Sequence, residues 1–265
     1  MHPALADAVA DLVPPRVTFG ELVARAVRVL IASPASVWAI CACLAALRAG
    51  VRLTEQALGL AGEGVAPTPT VWATTTVEVF GGAALTGLAL RRWLAPRLGW
   101  RLDRGFWAYL ALAGLASFSF SAPSLLQIPM EVVLPGAPRS SPALTLLLQT
   151  TVFLALAYVY ARLMLWPMTR LVGERALGPA GAWRAMRGGS WPYVGAVVLV
   201  SLPVMLATGG LGRLLERGLG PPGAWAEVAM TSLGLALVEL FAAAASAIVY
   251  RQRARTEADV AEVFD

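Results

Sequence analysis

Apolar segments of about twenty residues recur along this chain, at about 34–50, 72–90, 106–128, 143–166, 191–211 and 227–250. A helix of roughly 20 residues is what crosses a hydrocarbon core of about 30 Å. Backbone inside lipid must satisfy its own hydrogen bonds, and a single continuous segment can do so only as a helix. Charged residues make up 14% of the 265 positions, against roughly 25% in a soluble domain. The expected fold class is all-α, a polytopic integral membrane bundle of six transmembrane helices forming one transmembrane domain over 1–265. Turn-forming stretches, "GEGVAPTPT", "PGAPRSSP" and "GLGPPGA", separate the spans.

The basic residues orient this set. All 21 are arginine, a bias that reads as a GC-rich bacterial genome. Sixteen fall on segments that would share one side: the N-terminus, the second-to-third and fourth-to-fifth connections, and the C-terminal tail. Five, Arg48, Arg52, Arg139, Arg213 and Arg217, fall on the other. Basic flanks are retained in the cytoplasm during insertion. The expectation is a bacterial inner-membrane protein with both N- and C-termini cytoplasmic. The N-terminus lacks a basic region followed by an apolar core, so the first span is expected to serve as its own insertion signal. The net charge of +5 lies beside apolar spans, which points to anionic lipid headgroups and away from nucleic acid. Trp72, Trp93, Trp107, Trp166, Trp191 and Trp225 lie near span ends, where indoles anchor at the interface.

Two stretches are twins. "WRLDRGFWAY" from Trp100 and "WRAMRGGSWPY" from Trp183 both read Trp-Arg-x-x-Arg-Gly and then Trp-x-Tyr. Arginines at i and i+3 share a helix face, so Arg101 with Arg104, and Arg184 with Arg187, would lie toward headgroups on a short amphipathic interfacial helix. Arg25 and Arg28 in "FGELVARAVRVL" repeat the spacing ahead of the first span. The even-numbered spans agree as well. Glu78 precedes Arg91 by 13 positions, Gln149 precedes Arg162 by 13, and Glu239 precedes Arg251 by 12. The pattern predicts a three-fold internal repeat of helix hairpins, with units at about 18–92, 97–166 and 179–253.

The matched depth makes Glu78, Gln149 and Glu239 the candidate intramembrane polar site. An ionised acid near the bilayer centre costs on the order of 3 kcal/mol by insertion scales, so it must be neutral, paired or wet. Two readings stand open: a ligand, proton or cation site, and hydrogen bonding between neighbouring helices. Small pairs four apart, Ala83 with Gly87, Ala113 with Ser117 and Ala242 with Ser246, should let helices approach closely. Cys41 and Cys43, two apart on a helix, suit neither a disulfide nor a shared metal. The single histidine, His2, leaves no metal-ligand cluster and no Ser/His/Asp set.

The segment "WPMTRLVGERALGPAGAWRAMRGGSWPYVGAVVLV" resembles a bacterial family related to the membrane domain of glycerophosphoryl diester phosphodiesterases, through Glu174, Gly178, Pro179, Ala182 and Trp183-Arg184. The opening "FGELVARAVRVL" and the closing "IVYRQRART" are similar to that family's ends. The resemblance is specific around residues 166–195. It implies a multi-span helical bundle without catalysis, because in the fused enzymes the chemistry belongs to a separate soluble barrel. The expected function is that of a non-enzymatic structural or accessory protein without cofactor, binding anionic lipids through Arg25, Arg28, Arg101, Arg104, Arg184 and Arg187, with another membrane protein as a candidate partner. The competing expectation is a small carrier or permease with its polar site at Glu78, Gln149 and Glu239.

Overall fold

The computed structural model describes residues 18–60, 68–126, 142–173 and 177–264, with side chains except those of 120–126, 142–149, 221 and 254–264. Within these residues the fold is all-helical and contains no strand. The helices are α1 (Phe19–Ile31), α2 (Ala35–Ala57), α3 (Pro69–Leu94), α4 (Arg104–Leu126), α5 (Pro142–Leu163), α6 (Leu165–Val172), α7 (Pro179–Ala185), α8 (Ser190–Leu219) and α9 (Pro221–Phe264), with a 3-10 turn at Pro96–Leu98.

Local chemistry sets the helix ends. Thr18 and Glu21 close a capping box on α1, each side chain accepting the other's backbone N–H at 3.4 and 3.3 Å. Thr68 accepts from the Val71 amide ahead of Pro69, whose fixed φ and missing N–H suit the first helical position. Asp103 accepts from the Phe106 amide at 2.9 Å and starts α4. Gly173, at φ 77°, ends α6 in the left-handed region where only glycine is unstrained.

Five helical stretches have the length and apolar composition to cross a membrane: Ala35–Ala57, Pro69–Leu94, Thr150–Val172, Ser190–Leu219 and Pro222–Arg253. The last of these, most of α9, is the hub, packing against α1, α2, α3, α6, α7 and α8. Its buried Ala243, Ala244, Ala245 and Ala247 permit that crowding, because small side chains let neighbouring backbones approach. By contrast, α8 leaves Leu199, Leu202, Leu206, Leu211 and Leu214 exposed. An outer surface this apolar belongs against hydrocarbon rather than water.

One end of the bundle is a layer of short helices. Leu22 and Ala26 of α1, Leu165, Met168 and Leu171 on α6, Ala182 of α7 and nearby Met186 are all buried in one core. Trp93 Nε1 donates to Ser33 Oγ at 3.0 Å, and Arg251 donates to the Trp93 carbonyl. These bonds tie the start of α2, the end of α3 and the middle of α9 into the same layer. The α2/α3 hairpin therefore leaves from and returns to one end. The fully buried Arg91 sits in that layer too, donating to the Leu171 carbonyl at 3.2 Å, to the Arg101 carbonyl and to Asp103 Oδ1 at 2.5 Å.

Three expectations need correction. The first apolar helix runs to Ala57 and not to about residue 50, so Arg52 lies within α2 and not in a connection. Leu53, Thr54 and Gln56 carry no helix breaker, and the turn comes only at Leu58-Gly59. Second, only Arg25 and Arg28 share a helix. Arg101 is in non-helical chain ahead of α4, because Pro96 and Gly99 (φ 55°) break the helix there, and Arg187 follows the end of α7. Third, Trp93 is hydrogen-bonded within the short-helix layer and is no surface anchor, whereas Trp107, Trp191 and Trp225 are exposed as expected.

The starts of α2, α4 and α8 carry one burial pattern. Val37, Phe106 and Ser190 are buried, the following Trp38, Trp107 and Trp191 are exposed, and two residues further Ile40, Tyr109 and Tyr193 are buried again. The twin stretches share a further contact. Arg92 stacks on Trp100 at 4.5 Å and Arg162 on Trp183 at 4.8 Å, each arginine coming from the end of the preceding long helix.

Candidate functional site

Glu78 is on α3 and Glu239 on α9, and the bundle brings both to one partner that the sequence reading counted only among the outer-side arginines, Arg48 of α2. Arg48 Nη2 donates to Glu239 Oε2 at 2.5 Å, and Arg48 Nε lies 3.5 Å from Glu78 Oε1. The second Glu239 oxygen, Oε1, accepts from Thr86 Oγ1 at 2.6 Å. Both oxygens of Glu239 are thus engaged. The three charged side chains are 17% (Arg48), 34% (Glu78) and 22% (Glu239) exposed, so the triad is partly buried and partly open to a space.

Depth explains why they meet. Arg48 stands fifteen residues after Ser33, Glu78 fifteen before Trp93, and Glu239 twelve before Arg251. At 1.5 Å per residue these offsets place all three ~18–22 Å from the layer that joins Ser33, Trp93 and Arg251. The difference of a few ångströms is within the reach of an arginine side chain.

The space is a cavity of about 370 Å³ lined by residues of α2, α3, α4, α5, α6, α8 and α9. The triad and Thr86 stand at one end. From there toward the short-helix layer run Tyr109, Tyr160, Tyr193 and Ser246, and Met164, Pro167 and Met168 line it near that layer. Tyr193 Oη and Ser246 Oγ are 3.0 Å apart, and Ser246 also donates to the Ala242 carbonyl at 2.8 Å. Glycine shapes the wall. A Cβ on Gly87 would sit 2.7 Å from the Tyr109 ring, and one on Gly82 would sit 3.4 Å from Glu239 Oε1. At Gly87 only a residue without a side chain lets α3 approach the ring so closely, whereas at Gly82 a methyl group would make ordinary contact with the carboxylate.

Of the expected polar residues, Glu78 and Glu239 converge, while the side chain of Gln149 lies outside the described residues, as does Glu174. The small pairs face inward: Ala83, Ala113, Ser117, Ala242 and Ser246 line the cavity, and Gly87 packs beside it on Tyr109. Cys41 is buried and Cys43 exposed, on different faces of α2. Arg25, Arg28, Arg101, Arg104, Arg184 and Arg187 are all exposed. No group of His, Cys, Asp and Glu able to hold a metal ion occurs among the described residues.

Arg48, Thr86 and the tyrosines went unread in the sequence. A signal for Arg48 was present, since its offset from the start of its helix matches those of the two glutamates. Tyr109 and Tyr193 occupy the same place in the twin Trp-x-Tyr motifs, which marked them as a pair but not as cavity lining.

At the layer end, burial pushes the Asp103 carboxyl up, but the Phe106 amide, the Arg91 guanidinium and the Gly105 amide together hold it below its ordinary range.

No protein family model, curated protein or solved structure matches this chain.

Proposed function

We propose that this chain is a polytopic membrane protein of six spans, with α4 as the span between α3 and α5, whose central cavity holds a small polar solute in the manner of a carrier or permease. The observation that carries the reading is the partly open Arg48–Glu78–Glu239 triad at the head of a 370 Å³ cavity. Two carboxylates on one guanidinium leave an uncompensated charge. In a dry bundle at mid-membrane depth that charge is costly, and a wet or ligand-filled cavity relieves the cost. A bundle held together by polar contacts alone would need neither the opening nor the aromatic lining. The shared burial pattern at the starts of α2, α4 and α8, together with the twin Arg–Trp stacks, supports three repeated hairpins around this cavity. The sixteen arginines predicted on one side support cytoplasmic termini in a bacterial inner membrane.

The test is thiol accessibility in membranes. Ser117→Cys and Ala242→Cys, each in a Cys41→Ala/Cys43→Ala background, line the cavity, whereas Leu206→Cys sits on the apolar exterior. A small charged methanethiosulfonate should modify the first two from at least one face of the membrane and spare the third. A bundle in which neither cavity position reacts from either face is dry, and the solute reading falls.

A second reading, an accessory protein gripping anionic lipid, is favoured by the exposure of all six candidate arginines. Each well-placed arginine near a charged surface contributes about 1 kcal/mol. Arg184→Gln with Arg187→Gln should therefore lower retention of co-purified anionic lipid, read by mass spectrometry of the intact protein. Unchanged retention would count against that role. The resemblance to the phosphodiesterase membrane domain fits either reading, since it concerns the helical scaffold.

A further inference from the structure

We infer that the solute is a small organic monocation, an ammonium-type head at Glu78 with an apolar body among the tyrosines and methionines; the inference rests on the solute-cavity reading above. Charge is the first argument. The triad carries two carboxylates and one guanidinium. The next charged groups acting on Glu78 are Arg52 and Glu55 of the same helix as Arg48, and they are of opposite formal charge. With both acids ionised the triad's formal charge is minus one, and a monocation completes it.

Geometry is the second argument, and it weighs against an anion. The guanidinium of Arg48 faces Glu239 at 2.5 Å and Glu78 at 3.5 Å, and its Nε makes no hydrogen bond among the described residues. An incoming carboxylate or phosphate that reached for this N–H would come up against both glutamates. Glu239 cannot turn to meet a ligand without giving up both Arg48 and Thr86. Glu78 is held differently: its polar contact among the described residues is the single 3.5 Å approach of Arg48, and it is the most exposed of the three. It is the carboxylate free to receive a donor.

The lining is the third argument. Beyond the carboxylates the wall includes Tyr109, Tyr160, Tyr193, Met164 and Met168 among small and aliphatic residues. Aromatic faces attract cations through their quadrupoles, and thioether side chains adapt to an apolar body. The volume falls within the range of ordinary small-molecule pockets, about 300–1,000 Å³.

The experiment uses the full chain in nanodiscs of zwitterionic lipid, with empty nanodiscs subtracted so that partitioning into lipid is removed. Four probes of one size but different charge are titrated calorimetrically: phenethylammonium, benzyltrimethylammonium, 2-phenylethanol and phenylacetate. The two cations should bind, with the alcohol and the anion at least tenfold weaker. Glu78→Gln should weaken the cations about tenfold, and Glu78→Asp should recover part of that loss. The wild-type series stands even where a variant fails to fold. If phenylacetate binds and neither cation does, the cation assignment is overturned while the cavity still holds a solute. If no probe binds, the assignment and the solute reading fall together.

Discussion

Arg48→Met should lower stability by about 3 kcal/mol, the lower end of what breaking a buried ion pair costs, because one partner carboxylate is a third exposed. Without the guanidinium, Glu239 keeps only Thr86 and faces Glu78 across the cavity with no cation between them. The readout is the midpoint of unfolding as an anionic detergent is titrated into mixed micelles. The triple variant Arg48→Met/Glu78→Gln/Glu239→Gln removes every charge together and should return to within about 1 kcal/mol of wild type, since a buried charge network replaced as a whole is often neutral. That recovery separates the loss of pairing from the loss of packing by the arginine stem. An unchanged midpoint for Arg48→Met would mean the triad is solvated too freely to matter, and a triple variant as unstable as the single would assign the effect to packing.

Arg91→Met is the second large expectation, a loss of about 3 kcal/mol, again the lower end because its partner Asp103 is 41% exposed. Arg91 is fully buried, and its guanidinium serves the Leu171 carbonyl, the Arg101 carbonyl and Asp103 while lying 5.4 Å from the centre of the Phe106 ring. One side chain thus joins the end of α3 to α6 and to the start of α4. Removing it takes this donor from the Leu171 and Arg101 carbonyls, each loss costing about 1–3 kcal/mol where water cannot replace the bond, while Asp103 keeps the Phe106 amide. Arg91→Lys should restore only part of the stability, because an ammonium cannot span three divergent acceptors as the planar fork does.

The same clamp predicts a pH dependence. The Asp103 carboxyl is held below its ordinary value, so its contribution is complete above the unfolded value of about 3.9 and is lost as pH falls through the folded one. Melting curves between pH 7 and pH 3 should show wild type losing stability below about pH 4. Asp103→Asn should start lower and lose less over that interval. Parallel curves for the two proteins would show that Asp103 is not the group responsible.

Much of the scaffold was legible because its signals are local. Twenty-residue apolar runs, the Thr18–Glu21 box and Pro69 after Thr68 act within a few residues and need no partner elsewhere in the chain. Gly99 and Pro96 are local signals too, and they break the helix at Arg101 that the Arg-x-x-Arg spacing suggested. Glu78 and Glu239 could be paired by their distance from a following arginine, because rise per residue converts spacing into depth. Depth is only one of the coordinates a contact requires.

The other is azimuth about the helix axes, which is set by packing. Arg48 faces the two glutamates because Gly81 lets Leu47 of α2 settle against α3 and because alanines admit α9 at the centre. Tyr109 and Tyr193 look alike in the twin motifs and turn into the same cavity, while Trp107 and Trp191, two residues earlier, turn outward. The chain alone determined that the fold is helical, where its apolar runs lie and at what level Glu78 and Glu239 stand, since each follows from local residue chemistry and a fixed rise. Which charges touch, and that a cavity opens between them, was decided only when the helices packed, because contact depends on the rotation and spacing of helices distant in sequence.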